Sequence, residues 1–181
     1  MTLTLFIGMV LVMIGAAAVV GSRLPKTHVA SSRIRLRASP EEVWSTITDF
    51  ACHPDWRPGL SAVEPGPEVA GHPSWFEVCA RNIRVQFAMT ESDPPRRMAT
   101  RLVGDKLPIN STWVYELRPE REGTVVTITE NDQIYSPLFR FFARFIISYH
   151  GTMDVFLIAL ARKFGETVYP EHLSARQETP S

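Results

Sequence analysis

The chain is short of the residues that mark several common function classes. Only two of its 181 residues are cysteine, Cys52 and Cys79, and neither stands in a CxxC or Cys/His spacing. No disulfide framework or zinc site can be read from them, and two reduced thiols fit a cytosolic compartment. The five histidines, His28, His53, His72, His150 and His172, show no His-x-x-x-His or similar spacing, so no metal is expected. There is no P-loop, no GxGxxG and no GxSxG, which leaves no nucleotide site, hydrolase elbow or cofactor to propose. Net charge is missing too. Nineteen Lys+Arg balance nineteen Asp+Glu, so the basic excess by which nucleic-acid binders displace counterions from phosphates is absent. The length suits one ordinary domain plus an appendage, since domains mostly hold about 100 to 200 residues.

The balanced total hides an asymmetry. No ionisable side chain occurs between Met1 and Ser22, and Leu5 to Val20 is almost wholly apolar. A helix rising about 1.5 Å per residue crosses a hydrocarbon core of about 30 Å in roughly 20 residues. A cleaved signal peptide would want a positive n-region, which Met1-Thr2-Leu3-Thr4 lacks, although Ala16-Ala17-Ala18 resembles a small-residue cleavage site. A core helix would show a polar stripe, and none is visible. Residues 1–22 are therefore read as a membrane anchor, followed by a basic linker at 23–27. Arg23, Lys26, Arg33, Arg35 and Arg37 precede the first acid, Glu41. Positive flanks stay cytoplasmic, which places the main domain, 28–168, on that side. A polar tail, 169–181, closes the chain.

The main domain reads as α+β. From His28 to Ala38, Ala30, Ser32, Ile34 and Leu36 alternate with Ser31, Arg33, Arg35 and Arg37, the period of a half-buried strand. Ser39-Pro40-Glu41-Glu42 supplies an N-cap, a proline at the first helical position and two acids in the first turn, predicting a helix to about Asp49. A short second helix or tight turn follows over Phe50 to Leu60. Strand-length runs come next at Trp75 to Ala80, Ile83 to Glu91, Arg97 to Val103, Ser111 to Leu117 and Thr124 to Asp132, with one more near Ser61 to Glu64. In the second of these, Ile83, Val85, Phe87 and Met89 make a dry face and Arg84, Gln86, Ala88 and Thr90 a wet one. A long helix from about Pro137 to Glu166 is expected, broken only by Gly151. Leu138, Phe142, Phe145, Ile146, Tyr149, Met153, Phe156, Leu157, Leu160 and Phe164 share its core stripe, with Arg140, Arg144 and Arg162 opposite.

This order of elements carries local matches. Ala38-Ser39-Pro40-Glu41-Glu42-Val43-Trp44 leads into Thr48-Asp49-Phe50 and Pro54-Asp55-Trp56-Arg57-Pro58, and Pro137-Leu138-Phe139-Arg140-Phe141-Phe142 follows Thr129-Glu130-Asn131. In these features the chain resembles the START-like helix-grip superfamily, also called SRPBCC or polyketide cyclase/dehydrase and lipid transport, over about Thr27 to Gly165. The resemblance implies a curved antiparallel sheet of about six to seven strands wrapped around the long helix, two short helices after the first strand, and a hydrophobic cavity between sheet and helix. The N-terminal anchor departs from the usual soluble member.

Phe87, Met89, Trp113 and Tyr115 on the sheet and Phe142, Tyr149, Met153 and Phe156 on the helix are the candidate ligand-binding residues, an adaptable apolar wall with a few polar tips. The alternative is that they fill the space completely. For chemistry, His150 and Asp154 stand four apart, within hydrogen-bonding reach on a helix, and a carboxylate that orients an imidazole is a general-base arrangement. The competing reading is a surface pair flanking the core. Glu130 is a second candidate, aimed inward by its parity with Val126 and Ile128. His53 and Asp55 beside Trp56 can be read as a site at the cavity mouth; the preferred reading is that Pro54 and Pro58 set a turn, Trp56 packs as a lid and His53 and Asp55 face water. Ile147, Val155 and Ile158 share a helix sector with the arginines, a face that suits an anionic membrane or a protein contact. The expected function is a membrane-anchored binding domain for a hydrophobic small molecule or lipid. The alternatives are a cyclase- or dehydratase-like enzyme using the same cavity and a ligand-free interaction module.

Overall fold

In the computed structural model, which describes residues 2–104 and 107–173, the apolar N-terminal run forms one helix, α1 (Thr2–Arg23). Its 20-residue stretch Thr4–Arg23 is long and apolar enough to cross a membrane. Every residue of that stretch but Val10, Ala17, Ala18 and Gly21 is exposed.

Eight strands form a single antiparallel sheet in the order β2-β3-β4-β5-β6-β7-β1-β8. They are β1 (Thr27–Leu36), β2 (Leu60–Val69), β3 (His72–Cys79), β4 (Arg84–Asp93), β5 (Arg97–Val103), β6 (Ile109–Glu120), β7 (Gly123–Ile134) and β8 (Glu171–Leu173). Between β1 and β2 lie α2 (Pro40–Thr48) and a 3₁₀ turn at Phe50–Asp55. α2 starts at Ser39 because its side chain accepts from the Glu42 amide while the Glu42 carboxylate accepts from the Ser39 amide, a reciprocal capping box. Two prolines in β2 are tolerated because it is an edge strand. Gly123, at the β6–β7 turn, has φ 141°, and a Cβ there would overlap the Leu36 carbonyl oxygen. Only glycine suits that position.

The core lies between one face of the sheet and α4 (Gly151–Lys163). Ala30, Ile34 and Leu36 of β1, Met98 of β5, Tyr115 and Leu117 of β6 and Val126 and Ile128 of β7 meet Met153, Phe156, Leu157 and Leu160 of α4, with Val43 and Ile47 of α2. Ala30, Ser32, Ile34 and Leu36 of β1 are all buried as expected, but Ser31, expected on the wet face, is buried too, where β8 pairs with it. In β4 the expected alternation holds only in part. Ile83, just before the strand, is exposed, and Ala88, expected on the wet face, is fully buried.

The C-terminal helix is not continuous. α3 (Pro137–Phe142) passes into a single π turn, Ala143–Ile147, and Ser148 then takes φ 68° before α4 begins at Gly151. The two helical pieces meet at 48°. A serine in the positive-φ region is a local backbone cost that the surroundings must offset. The consequence for the apolar stripe is large. Met153, Phe156, Leu157 and Leu160 reach the sheet, whereas Phe142, Phe145 and Ile146 are 41, 56 and 68% exposed. α3 instead packs along α1, where a Cβ on Gly21 would overlap the Pro137 carbonyl. Arg140, expected to be wet, is buried, and its Nη1 donates to the Leu24 carbonyl at 2.8 Å. Of the mixed sector, Arg144, Arg162 and Val155 are exposed and Ile158 is half-buried, while the side chain of Ile147 lies outside the described residues. The start of the polar tail is ordered as β8 against β1, held by Glu171 to Arg33 and Arg35. Residues 174–181 lie outside the described residues.

Candidate functional site

Between the sheet and the 3₁₀ turn with Arg57 just after it lies a cavity of about 60 Å³ lined by Phe50, His53, Arg57, Trp75, Glu77, Phe87, Thr100, Trp113 and Tyr115. Strand parity builds it. Trp75 and Glu77 on β3, Phe87 on β4, Thr100 on β5 and Trp113 and Tyr115 on β6 all point to the core face, and Phe50 stacks on Trp75 with ring centroids 3.8 Å apart. Phe156 of α4 lies edge-on to Trp56 and Trp113, closing the shell.

One end of this shell is polar. Arg57 makes a two-pronged ion pair with Glu77, and its Nη1 also reaches His53 Nδ1 at 3.0 Å. His53 Nε2 lies 3.1 Å from the Ile47 carbonyl. A carbonyl only accepts, so Nε2 carries the proton and Nδ1 accepts from Arg57, which assigns the neutral tautomer. Burial, reinforced by the Arg57 charge, lowers His53 to about 4. The expectation that His53 faces water is thus overturned, because the 3₁₀ turn tucks the ring under α2. Asp55 does face solvent. Burial also pushes the Tyr115 phenol well above its usual value.

Trp113 links this cavity to a second polar cluster. Its indole Nε1 donates to Glu130 Oε1 at 2.8 Å, Thr152 Oγ1 donates to Oε2 at 3.1 Å, and Ser111 Oγ lies 3.4 Å from Oε1. Burial first, then the neighbouring Asp132 carboxylate, raises Glu130 to about 7 against the pull of those donors. Burial raises Asp132 as well. His28, opposite Asp132 in the β1–β7 register, stacks on Tyr149 at 3.4 Å, and burial lowers its pKa, helped by the charges of His150 and Arg144.

His150 and Asp154 form a third cluster, joined through Ser32. Ser32 Oγ donates to Asp154 Oδ1 at 2.9 Å and lies 3.2 Å from His150 Nδ1. One hydroxyl proton serves one acceptor, so His150 Nδ1–H donates to Ser32. His172 of β8 stacks on His150 at 3.9 Å and reaches Asp154 Oδ2 at 2.8 Å. The carboxylate therefore holds Ser32 and β8, and none of the four residues lines the cavity. Among the described residues, no group of three or more His, Cys, Asp or Glu is placed to hold a metal ion.

Of the sequence candidates, Phe87, Trp113 and Tyr115 line the cavity. Phe156 and Met153 are buried beside it in the core, and Met89 and Tyr149 pack against that core. Phe142 is turned out on α3. Arg57, Glu77 and Thr100 were not singled out from sequence. Their signal was parity, since Glu77 shares a face with Trp75 and Thr100 with Met98. Outside, a groove of about 570 Å³ on the opposite sheet face is lined by Arg33, Arg35, Arg97 and Arg118 with Glu116 and Glu120. Three of those arginines are paired to acids, the pattern of a solvated face.

The sequence profile described as polyketide cyclase / dehydrase and lipid transport matches residues 27–165, from the first residue of β1 to just past α4. The chain belongs to this family. Solved structures agree on its Bet v1-like, SRPBCC fold. A truncated norcoclaurine synthase from Thalictrum flavum superposes with TM-score 0.62 at 14% identity, covering 78% of this chain and 96% of that one. A conserved protein from Geobacillus kaustophilus gives 0.56 at 18%, covering 81% and 100%. The di-domain ARO/CYC StfQ from the steffimycin biosynthetic pathway gives 0.58 at 12%, and there the match spans 77% of this chain but about half, 52%, of that one. These identities speak for fold alone. A search of curated protein sequences finds no significant match. Both α1 and β8 lie outside the matched family region.

Proposed function

We propose that this family member is a membrane-anchored, cytoplasmic binding domain for a hydrophobic small molecule or lipid, held between the sheet and α4. The observation that carries the reading is the aromatic shell around a cavity that ends on the Arg57–Glu77 pair. Such a shell desolvates an apolar body at about 25 cal/mol per Å², and the ion pair offers donors and acceptors to one polar end. A cavity of 60 Å³ holds a water or two, whereas small-molecule sites run to about 300–1,000 Å³. Binding therefore requires Phe50, Trp75 and Phe87 to move apart. Anchoring rests on α1, most of whose apolar surface is left exposed by the other described residues, and orientation rests on Arg23 and Lys26 at its end.

Native mass spectrometry of the full chain released from detergent micelles, with solvent extraction of the same sample, tests this. A reproducible adduct of a few hundred daltons, lost when Thr100→Met fills the cavity, is the expected result. A bare protein mass with no uptake from an added lipid extract overturns the reading and favours a filled interaction module. One observation favours an enzymatic use of the same cavity: Glu130 titrates near 7 beside Trp113, where a proton donor or acceptor works best. A bound species whose mass differs between wild type and Glu130→Gln would mark turnover.

A further inference from the structure

α3 and the π turn, residues 137–147, are covered on one side by α1 and by little else. On the open side they present Phe142, Phe145 and Ile146, the exposed large apolar side chains among the described residues of this segment. A soluble domain gains nothing by turning two phenylalanines and an isoleucine outward from a helix next to its own core. The segment's only exposed charge is Arg144, whose guanidinium lies over the rings of Phe145 and Tyr149 at 5.7 and 5.8 Å. No acidic residue occurs between Asp132 and Asp154, or anywhere before Glu41. The apolar side chains and the basic residues Arg23, Lys26 and Arg144 therefore gather at one end of the molecule, where the acids of β7, Glu130 and Asp132, are half-buried.

The contact with α1 fixes where that end lies. Gly21, near the last turn of the apolar helix, sits against Pro137 with the Phe141 side chain beside it. Two further links tie the junction rigidly: Arg140 to the Leu24 carbonyl, and the Ile134 amide to the Lys26 carbonyl. Small residues at Ala17 and Gly21 permit this close approach, as between helices in a bilayer.

We propose that α3 and the π turn form a second membrane contact, lying in the interface beside α1, with Phe142, Phe145 and Ile146 in the acyl boundary and Arg144 at anionic headgroups. This rests on the reading that α1 spans the bilayer. Aromatic and aliphatic side chains mixed with basic residues that reach back to the headgroups are the composition of interfacial helices. The contact sets the tilt of the domain and places the α3–α4 break at the lipid surface. The β6–β7 turn, some twelve residues along its strands and so roughly 40 Å away, stays in water.

Depth-dependent quenching on the full chain tests it. Cys52→Ser and Cys79→Ser clear the background, and an environment-sensitive fluorophore is attached at Phe145→Cys, Val12→Cys or Glu122→Cys. Each protein is reconstituted into vesicles of equimolar phosphatidylcholine and phosphatidylglycerol. Spin-labelled lipid should quench positions 12 and 145 several-fold more than position 122, and aqueous iodide should do the reverse. Lipid quenching at 12 with iodide quenching at 145 overturns the second contact and leaves the anchor standing. Iodide quenching at both removes the anchor and the contact together. Shielding of 145 from both quenchers means that a protein, such as a second copy, covers the segment, and this too overturns the proposal.

Discussion

Two buried titratable groups on either side of Trp113 should bend the stability profile in opposite directions and nearly hide each other. Glu130 is raised from 4.5 to about 7 in the folded chain. Between those values the folded state holds a proton that the unfolded state has released, so its contribution is fully present below pH 4.5 and lost as pH rises through 7. His53 is lowered from 6.5 to about 4. Between those values the unfolded state binds the proton, so its contribution is present above pH 6.5 and lost as pH falls through 4. Each shift spans about 2.5 units, and at about 1.4 kcal/mol per unit each group moves stability by about 3 kcal/mol. Asp132 acts with Glu130, and His28 and His150 act with His53.

Glu130→Gln keeps an acceptor for Trp113 and cannot ionise. Its stability relative to wild type should be near zero at pH 4 and should rise to about 3 kcal/mol in favour of the variant above pH 7. His53→Gln keeps a donor for the Ile47 carbonyl, and its difference profile should run the other way, with the variant gaining on wild type as pH falls. Urea unfolding of the full chain in a non-ionic detergent, followed by circular dichroism across this range, reads both. A Glu130→Gln difference that does not change with pH would refute the assignment of a raised carboxyl, and a difference that grows toward low pH would reverse its sign.

Three further outcomes are expected from the same unfolding assay. Glu77→Gln should cost about 3 kcal/mol because Arg57, whose side chain is 19% exposed, is left buried without its partner, while Arg57→Met with Glu77→Met should recover most of that loss. Met153→Ala, at a fully buried position in the middle of the core, should cost about 2–5 kcal/mol through lost burial and a cavity. Ser39→Ala removes the capping box of α2 and should cost about 1 kcal/mol, with Ser39→Gly costing less.

Strands β1 and β3 to β7 and helix α2 were legible because a local rule decided each of them, whereas β8, in what read as a polar tail, and the second half of β2 were not. Ala30, Ser32, Ile34 and Leu36 alternate and are all buried, and Ser39-Pro40-Glu41-Glu42 carries its own cap. The C-terminal helix was not legible, because a 3.6-residue apolar period records that a face is covered and not what covers it. Phe142 and Phe145 continue the stripe of Phe156 and Leu160 in sequence but turn outward, away from the sheet. The break falls at Ser148, a residue type with no preference for positive φ, three positions before the glycine that marked it in the pattern. The polar end of the cavity was hidden for a different reason. Arg57 and Glu77 are twenty residues apart and meet only because β2 returns to β3, and a void of 60 Å³ depends on how rings pack. For His150 and Asp154, helical spacing gave the right neighbourhood, yet Ser32, reached only through the β1–α4 packing, stands between them.

The break at Ser148 joins these observations. Had the helix run straight, Phe142, Phe145 and Ile146 would have extended the apolar stripe over the end of the sheet where β1 begins and β7 ends. Because it turns by 48°, that end is instead closed by polar and aromatic groups: His28 on Tyr149, and Thr152 on Glu130. These contacts are few, and one of them holds a carboxyl that titrates near 7. On the proposed orientation this weakly closed end faces the bilayer, and Trp113 is the one side chain that both bonds Glu130 and lines the cavity. A lipophilic molecule leaving the membrane would then pass Glu130 and Trp113 before its polar end could reach Arg57. Trp113→Ala should accordingly speed both loading and release of a bound lipid, whereas Thr100→Met should abolish occupancy without changing access.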